Sequence, residues 1–250
     1  MFELVENYSV RSSRRFAPQD DINMTYHIEF ELDFKKNPHK GLYVAIEGVD
    51  GSGKSTQIDL LKSYFEEKGE KVLVTYEPNY DNVVGKMIQE ILQSKISLPS
   101  ELLQYLYSAS RLLHNESNVY PALEKGNVVI SHRSFWSAIP YGILDASKED
   151  YDYTHAKVIM AAQGILSMYH QFISPDITFY LRVPVETAMQ RLESRKKGIE
   201  LYEKKQKVEK ILKGYEWLLK EFPSEIIAVD STGEIEEIHK KIIKKLENRD

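Results

Sequence analysis

The feature that most constrains this chain is an eight-residue stretch, GVDGSGKS, at residues 48–55. It matches the phosphate-binding pattern G-x-x-x-x-G-K-[ST]. The apolar, β-branched run at residues 42–46 predicts a buried strand before the stretch, and the periodicity of residues 56–68 predicts a helix after it. A glycine-rich turn that met a helix by chance would not have strand, loop, Lys-Ser pair and helix in register. The sequence therefore predicts a binding loop for a nucleoside triphosphate.

The chemistry of polyphosphate explains these residue types. Glycines let the backbone curl so that several N–H groups point at one anion, and the helix N-terminus adds free donors and the positive end of its dipole. In this pattern Lys54 is predicted to reach the β- and γ-phosphates, and the Ser55 hydroxyl is predicted to bind Mg²⁺.

Length and composition limit the class of protein. The 250 residues are 42% hydrophobic and 28% charged, which is typical of one large globular α/β domain. The net charge of −5 argues against broad binding to nucleic acid, and the absence of cysteine excludes thiol catalysis and disulfides. No apolar run is long enough for a bilayer span, and residues 1–15 lack the apolar core of a signal peptide. We therefore expect a cytoplasmic protein without a membrane or nucleic-acid partner.

From residue 41 onward, predicted strands and helices alternate, which indicates right-handed crossovers and a parallel sheet covered on both faces. The predicted strands are residues 42–47, 72–76, 128–131, 177–182 and 226–229. The predicted helices are residues 55–68, 82–93, 99–125, about 154–172, 185–194, 204–222 and 234–248.

Ligands of such sheets bind at the carboxyl ends of the strands, where this chain places polar residues. They lie at residues 75–81, 131–134, 182–184 and 230–233. Arg133 directly follows a buried strand, where desolvating a guanidinium is costly. A planar arginine fork in that place suits a phosphate, which it can hold with two hydrogen bonds.

Residues 1–40 do not share this pattern and are predicted to form an N-terminal extension to the domain of residues 41–250. Within the extension, residues 25–34 alternate strictly between apolar and polar, which predicts one half-buried strand. A lone strand needs a partner. Two interpretations remain open: an arm for dimerisation or regulation, and a structural cover over the core.

Several ordered segments resemble the thymidylate kinase family of P-loop nucleoside-monophosphate kinases. The resemblance covers about residues 41–246, and the phosphate-binding loop alone would indicate only a nucleoside-triphosphate site. The segments are IEGVDGSGKSTQ from Ile46, TYEP from Thr75, YSASR from Tyr107, PALEKG from Pro121, VISHR from Val129, PDITFYL from Pro175, Gly214-Tyr215 before KEFP, and IEEIH from Ile235.

The resemblance implies a P-loop NTPase fold with three α/β/α layers, a five-stranded parallel sheet, a mobile lid and a homodimer. It implies transfer of the γ-phosphoryl group of ATP to the 5′-phosphate of dTMP, with Mg²⁺. The implied ATP-binding residues are Gly48, Asp50, Gly51, Ser52, Gly53, Lys54, Ser55, Thr56 and Arg191, with Ser55 as the metal ligand. The implied acceptor-binding residues are Asp50, Glu77, Pro78, Tyr107, Arg111, Arg133 and Tyr141.

The resemblance also implies individual roles. Tyr107 matches the aromatic residue that stacks on thymine, Arg111 the arginine that contacts the base, and Arg133 the arginine that holds the acceptor phosphate. Arg191 and Arg195 fall at the lid over ATP. The implied catalytic residues are Lys54, Arg133 and Arg195.

Some positions depart from the family pattern. His132 stands where relatives usually have an aspartate that orients Mg²⁺ or its water, and the segment after Ser137 lacks the glutamine or threonine often found near the base. Two alternatives to a dTMP kinase therefore stay open at this stage. One is a kinase for another pyrimidine nucleotide or a deoxynucleoside, and the other is a nucleotide-binding homologue with little catalysis.

Overall fold

The computed structural model describes residues 33–98, 100–146, 156–194 and 204–248. The predicted strand at residues 25–34 therefore lies almost entirely outside the described part of the chain, as does Arg195. Within that part, five parallel strands form one sheet in the order β2-β3-β1-β4-β5. The strands are β1 Tyr43–Glu47, β2 Val72–Tyr76, β3 Val128–His132, β4 Ile177–Arg182 and β5 Ile226–Asp230.

Helices cover the sheet, so the predicted α/β fold is confirmed. They are α1 Lys54–Glu67, α2 Val83–Leu92, α3 Ser100–His114, α4 Tyr120–Glu124, α5 Ala138–Ala146, α6 Ala156–Tyr169, α7 Val185–Glu193, α8 Lys205–Glu221 and α9 Ile235–Glu247. A π-helical turn, Asn115–Val119, joins α3 to α4, and a 3₁₀ turn, Phe135–Ser137, precedes α5. No helix in the described ranges combines the length and apolar character that crossing a membrane requires.

The centre of the sheet is β1, all five residues of which are buried. A strand with neighbours on both sides and helices on both faces must be apolar nearly throughout, as β1 is until Glu47. Ile58 and Leu61 of α1 are fully buried against this part of the core. Because β1 pairs with both β3 and β4, its carboxyl end lies beside theirs, and Ile46 lies opposite His132. This edge of the sheet holds the site.

Two helical segments differ from the sequence-based prediction. The helix predicted over residues 99–125 is interrupted by the π-helical turn, since Pro121 has no N–H to offer the carbonyl four residues earlier and the hydrogen-bond register shifts before it. Helix α5 was not predicted at all, because Pro140 and Gly142 weaken its sequence signal. Pro140 is tolerated because it lies in the first turn, where backbone N–H groups have no helical partner.

Residues 34–37 pack onto the body of the domain. The Phe34 ring stacks on Phe135 with a centroid distance of 5.7 Å, and the Ser174 N–H donates to the Lys35 carbonyl at 2.8 Å. The Asn37 amide donates to Asp176 Oδ2, also at 2.8 Å. This short stretch thus covers aromatic core residues next to β4.

Candidate active site

The phosphate-binding loop has backbone conformations that only glycine adopts readily. Gly48, Gly51 and Gly53 have φ values of 140°, 84° and 96°. At Gly51 there is also no space, because a Cβ atom would lie 2.4 Å from the Ala188 carbonyl oxygen of α7. The loop is thereby pressed against α7, and the helix α1 begins directly after it with Gly53 as its N-cap.

The first residues of α1 bring a lysine and two hydroxyls to the loop. The Lys54 amine is buried and donates to the carbonyls of Gly48 at 3.0 Å and Val49 at 2.9 Å. Burial and the nearby Arg133 charge lower the pKa of Lys54 to about 7, against the opposing effects of Asp50 and Glu47. Ser55 and Thr56 lie exposed in the first turn of α1, where the backbone N–H groups have no acceptor within the helix.

Arg133 leaves β3 in a left-handed conformation with φ 73°, which a non-glycine residue adopts at a cost of about 1–3 kcal/mol. Hydrogen bonds hold it there: the Ser131 hydroxyl donates to the Arg133 carbonyl at 2.6 Å. The guanidinium donates to Asp50 Oδ1 at 2.7 Å and to the Gly48 carbonyl at 2.8 Å, and it lies 4.8 Å from the centroid of the Tyr141 ring.

Asp50 joins the phosphate-binding loop to Arg133. Its Oδ1 lies 3.4 Å from the Lys54 amine as well as 2.7 Å from Arg133. Burial raises the pKa of Asp50, but the charges of Arg133 and Lys54 outweigh it and hold the pKa well below its usual range. One ionised carboxylate therefore lies between two cations. Lys54 is predicted to bind the donor triphosphate, and Arg133 is predicted to bind the acceptor phosphate.

His132 has the opposite character. Burial and the charges of Lys54 and Arg133 lower its pKa to about 2, so the imidazole is neutral at physiological pH. Its ring lies 5.5 Å from that of Tyr76, at the mouth of the acceptor side. A neutral ring in this place neither repels the neighbouring cations nor replaces a carboxylate as a ligand for a hard cation.

A buried carboxylate that sequence reasoning did not assign organises the end of β1. Glu47 is 0% exposed, and Ser134 donates to its Oε1 from the backbone N–H at 2.7 Å and from the hydroxyl at 2.8 Å. Ser137 and Tyr215 donate to Oε2, the latter at 2.8 Å. The segment after Arg133 is thus tied to β1 and α8. Tyr215 falls within the helix predicted at residues 204–222, and nothing in the sequence pairs it with Glu47.

A cavity of about 250 Å³ opens beside Arg133. All seven predicted acceptor residues line it: Asp50, Glu77, Pro78, Tyr107, Arg111, Arg133 and Tyr141. Gln104, His132 and Ser137 line it too, although none of them was assigned a binding role from the sequence. Its size and mixture of aromatic and charged walls suit a small planar group that carries an anion.

Arg111 and Glu77 form a buried ion pair in the wall of this cavity. Glu77 accepts from Arg111 Nε, and the guanidinium carbon lies 4.6 Å from the centroid of the Tyr169 ring. Burial raises the pKa of Glu77, and the adjacent Arg111 charge opposes that rise. Arg111 Nη1 is buried and has no hydrogen-bond partner within the described part of the chain.

Arg191 lies at the end of α7 beside the phosphate-binding loop, next to the undescribed residues 195–203. It donates to the Ser231 carbonyl at 3.0 Å and to the Gly51 carbonyl at 3.4 Å. The Ser231 hydroxyl in turn donates to the Ser52 carbonyl at 2.7 Å. The end of β5, the loop and the start of the predicted lid therefore meet at one point.

No group of three or more His, Cys, Asp or Glu side chains that would hold a metal by itself occurs among residues 33–98, 100–146, 156–194 and 204–248. The Asp50 and Glu47 carboxylates near the loop are engaged with Arg133 and with the Ser134, Ser137 and Tyr215 donors. Such a site is compatible with Mg²⁺, which commonly keeps its waters and takes one or two protein ligands plus substrate phosphates.

Comparison with known proteins agrees with this geometry. A family model described as thymidylate kinase matches residues 46–242. A probable thymidylate kinase of Thermococcus gammatolerans is 32% identical over 213 residues, covering 81% of this chain and 94% of the relative. A thymidylate kinase of Sulfurihydrogenibium is 33% identical over 213 residues, covering 84% of this chain and 98% of the relative.

A solved structure is also similar. The thymidylate kinase of Candida albicans, whose structure is described as revealing the origin of broad substrate specificity and a novel structural element, superposes with a TM-score of 0.69 at 25% identity. The similarity covers 83% of this chain and 91% of that one. The similarity in fold thus extends across most of both chains.

Proposed function

This chain belongs to the thymidylate kinase family, whose activity is the ATP-dependent phosphorylation of dTMP to dTDP, and we propose that the residues around Asp50 perform that transfer. The observation that carries the proposal is one junction. Asp50 contacts both Lys54, on the loop that fits a triphosphate, and Arg133, on the wall of the acceptor cavity. Lys54 and Arg133 would thereby bring a donor phosphate and an acceptor phosphate to the same region of the site.

The reaction asks little covalent chemistry of the protein. An oxygen of the acceptor 5′-phosphate forms a bond to the γ-phosphorus of ATP, and the bond from that phosphorus to the bridging oxygen of ADP breaks with its electrons on ADP. The attacking phosphate is already ionised, so no general base is needed. Positioning and charge stabilisation supply the catalysis. We propose that Lys54 and Arg133 supply this stabilisation, and Arg195 completes the predicted catalytic set.

On the donor side, the loop from Gly48 to Thr56 would cradle the triphosphate, and Arg191 would reach it from α7. Ser55 is the residue that would hold Mg²⁺, since its hydroxyl is exposed in the first turn of α1. The bound metal would neutralise charge on the β- and γ-phosphates. Asp50 and Glu47 instead keep the protein's own cations and hydroxyls in place.

On the acceptor side, Tyr107 and Arg111 would bind the base while Arg133 holds the 5′-phosphate. The Arg111 guanidinium is fixed between Glu77 and the Tyr169 ring, so it is already oriented. The Tyr141 ring supports Arg133 at 4.8 Å. Preorganised donors of this kind avoid the entropy cost of ordering long side chains during binding.

We further propose that the protein is a cytoplasmic homodimer. Exposed apolar side chains lie on α2 and on α3, which pack against each other. They are Val83, Met87, Leu102, Tyr105, Leu112 and Leu113. Apolar patches of this extent are typical of interaction surfaces, and a second copy of the chain is the partner that the family resemblance implies. The lack of cysteine agrees with a reducing compartment.

The test of the function is release of ADP from ATP and Mg²⁺ with dTMP, dUMP, dCMP or no acceptor in parallel. We expect the fastest release with dTMP and negligible release without an acceptor. The variant Arg133→Lys, which keeps the charge but loses the planar fork, is expected to lower kcat/KM for dTMP by about 100-fold. The control is Arg182→Lys, at an exposed arginine paired with Glu216, which should be unaffected. Equal release with and without dTMP would contradict the proposal.

A further inference from the structure

Gln104 of α3 is a buried amide in the cavity wall. It is 6% exposed and lines the cavity, yet neither its Oε1 nor its Nε2 is hydrogen-bonded within the described part of the chain. Buried polar side-chain atoms in native proteins nearly always have a partner. An amide left unpaired at a binding cavity therefore points to a ligand that supplies the missing donor and acceptor.

Packing fixes where this amide lies. At Gly142 of α5, a Cβ atom would lie 2.6 Å from Gln104 Cδ, 2.7 Å from its Nε2 and 2.7 Å from Ile165 Cδ1. The backbone of α5 thus lies directly against the amide, and a side chain at position 142 would displace it. Gln104 is therefore held by packing, and neither of its polar atoms is used in a hydrogen bond within the described part of the chain.

The amide shares one helix face with two predicted base-binding residues. Gln104, Tyr107 and Arg111 are spaced i, i+3 and i+7 on α3 and all line the cavity. A planar base that lies on Tyr107 would turn its edge towards groups placed along this same face. Gln104 offers one acceptor and two donors there, and Arg111 Nη1 offers a donor only.

We propose that Gln104 reads the hydrogen-bonding edge of the acceptor's pyrimidine, which rests on the proposed function. Its Oε1 accepts from the N3–H of thymine and its Nε2 donates to an adjacent ring carbonyl. A carboxamide can rotate by 180°, which exchanges its donor and its acceptor. Gln104 by itself would therefore also match the edge of cytosine. Arg111 Nη1 removes that ambiguity, since it can donate to the O4 carbonyl of thymine but would face the amino group of cytosine. Together the two residues favour a 4-oxo pyrimidine.

The test replaces the amide by an apolar group of similar size, Gln104→Leu. We expect kcat/KM for dTMP to fall about 10- to 100-fold, mainly through a higher KM, with the KM for ATP unchanged. The melting temperature should stay the same or rise, because an unpaired buried amide has been removed. The matched control is Thr178→Val, which removes another buried oxygen of β4 that has no partner among the residues the structure describes and does not line the cavity. Wild-type kinetics for Gln104→Leu would overturn the proposal.

A second measurement does not depend on turnover or on that variant. Calorimetry compares the binding of dTMP and N3-methyl-dTMP to the wild-type chain and to Gln104→Ala, which also makes room for the methyl group. We expect the wild-type preference for dTMP to fall at least tenfold in Gln104→Ala. An unchanged ratio, or equal binding of both ligands by the wild-type chain, would refute the role of Gln104. Absence of dTMP-dependent ADP release would instead count against the proposed function, and the binding ratio would still decide the role of Gln104.

Discussion

At the scale of single residues, the site depends on how a few charges compensate each other. Lys54 and Arg133 are both buried, and Asp50 is the carboxylate that contacts both. Without it, two cations would share a desolvated region, which is unfavourable. With it, both cations are held in position, and each keeps further N–H donors that a substrate phosphate could accept from. The site is therefore arranged for anions before any anion binds.

The Glu47 carboxylate depends on the hydroxyl of Tyr215, and this dependence can be measured. In Tyr215→Phe the carboxylate loses a donor at 2.8 Å, so we expect the free energy of unfolding to fall by about 1.5–3 kcal/mol in urea. Tyr180 stacks on Tyr215 with a centroid distance of 4.6 Å, and its hydroxyl is buried without a partner among the described residues. Tyr180→Phe is the control and should leave stability unchanged or slightly higher. Equal losses in both variants would contradict this account.

His132 makes a prediction about pH. Its folded-state pKa of about 2 lies below the ordinary value, so below pH 6.5 the unfolded chain takes up a proton that the folded chain refuses. Stability is therefore lost as the pH falls, by at most about 1.4 kcal/mol per pH unit. His132→Asn lacks this effect. Between pH 7.5 and 5.0, the wild type should lose about 1–2 kcal/mol more stability than the variant in chemical unfolding.

This comparison subtracts the stability change of His132→Asn between the two pH values from that of the wild type. The contributions of groups that titrate alike in both proteins therefore cancel. The lost ring contact with Tyr76 does not depend on pH and cancels as well. Parallel curves for the two proteins would show that His132 is protonated normally in the folded state. The same neutral state makes His132 unsuited to general acid catalysis near pH 7.

At the scale of secondary-structure elements, the phosphate-binding loop is shaped by α7 as well as by its own glycines. Gly51 and the Ala188 carbonyl are so close that the loop and this helix are positioned by each other. Arg191 reinforces the contact from the end of the same helix. Helix α7 leads into the predicted lid, and movement of this helix would therefore displace the phosphate-binding loop.

Two alanine substitutions separate this contact from backbone strain. Gly51→Ala combines φ 84° with a Cβ atom 2.4 Å from a carbonyl oxygen, and we expect kcat/KM for ATP to fall by about 100-fold. Gly126→Ala has φ 79° but no atom within 4 Å of its Cβ. It should cost only about 1–2 kcal/mol of stability and leave ATP kinetics intact. ATP kinetics that respond equally to both changes would argue against the role of α7.

At the scale of the whole molecule, the described helices α2 and α3 carry exposed apolar side chains. Val83 of α2 and Tyr105 of α3 are 78% and 65% exposed, among the most exposed large apolar side chains in the described ranges. Stable dimers bury about 800 Å² on each partner, and two packed helices are long enough to offer such an area. Both helices also wall the acceptor side, since Leu92 and Gln104 line the cavity.

The dimer prediction is tested by sedimentation at several concentrations. The wild-type chain is expected at twice the mass of one chain, and the double variant Val83→Glu, Tyr105→Glu at the mass of one. Buried carboxylates without partners would oppose association. Ile235→Glu serves as the control, because Ile235 is also exposed, at 46%, but lies on α9. A double variant that still dimerises would place the interface elsewhere.

Much of the fold and the ATP side of the site could be predicted from local sequence. Strand, glycine loop and helix follow one another within residues 43–67, so a local sequence pattern is enough to predict them. The acceptor residues were named through the family resemblance, and the structure gathers all seven of them around one cavity. The similarity to thymidylate kinases confirms the family predicted from those segments.

Other features depend on contacts between distant parts of the chain. Tyr215 reaches Glu47 across 168 positions. The α5 backbone packs against the Gln104 amide of α3, which has no hydrogen-bond partner among the described residues. Periodicity can place a residue on a buried face, but it does not tell which side chain lies opposite it. The sequence by itself therefore determined the family, the sheet and the phosphate-binding loop. Only the tertiary structure decided which buried polar groups are hydrogen-bonded and which line the cavity, because that depends on how helices distant in sequence pack together.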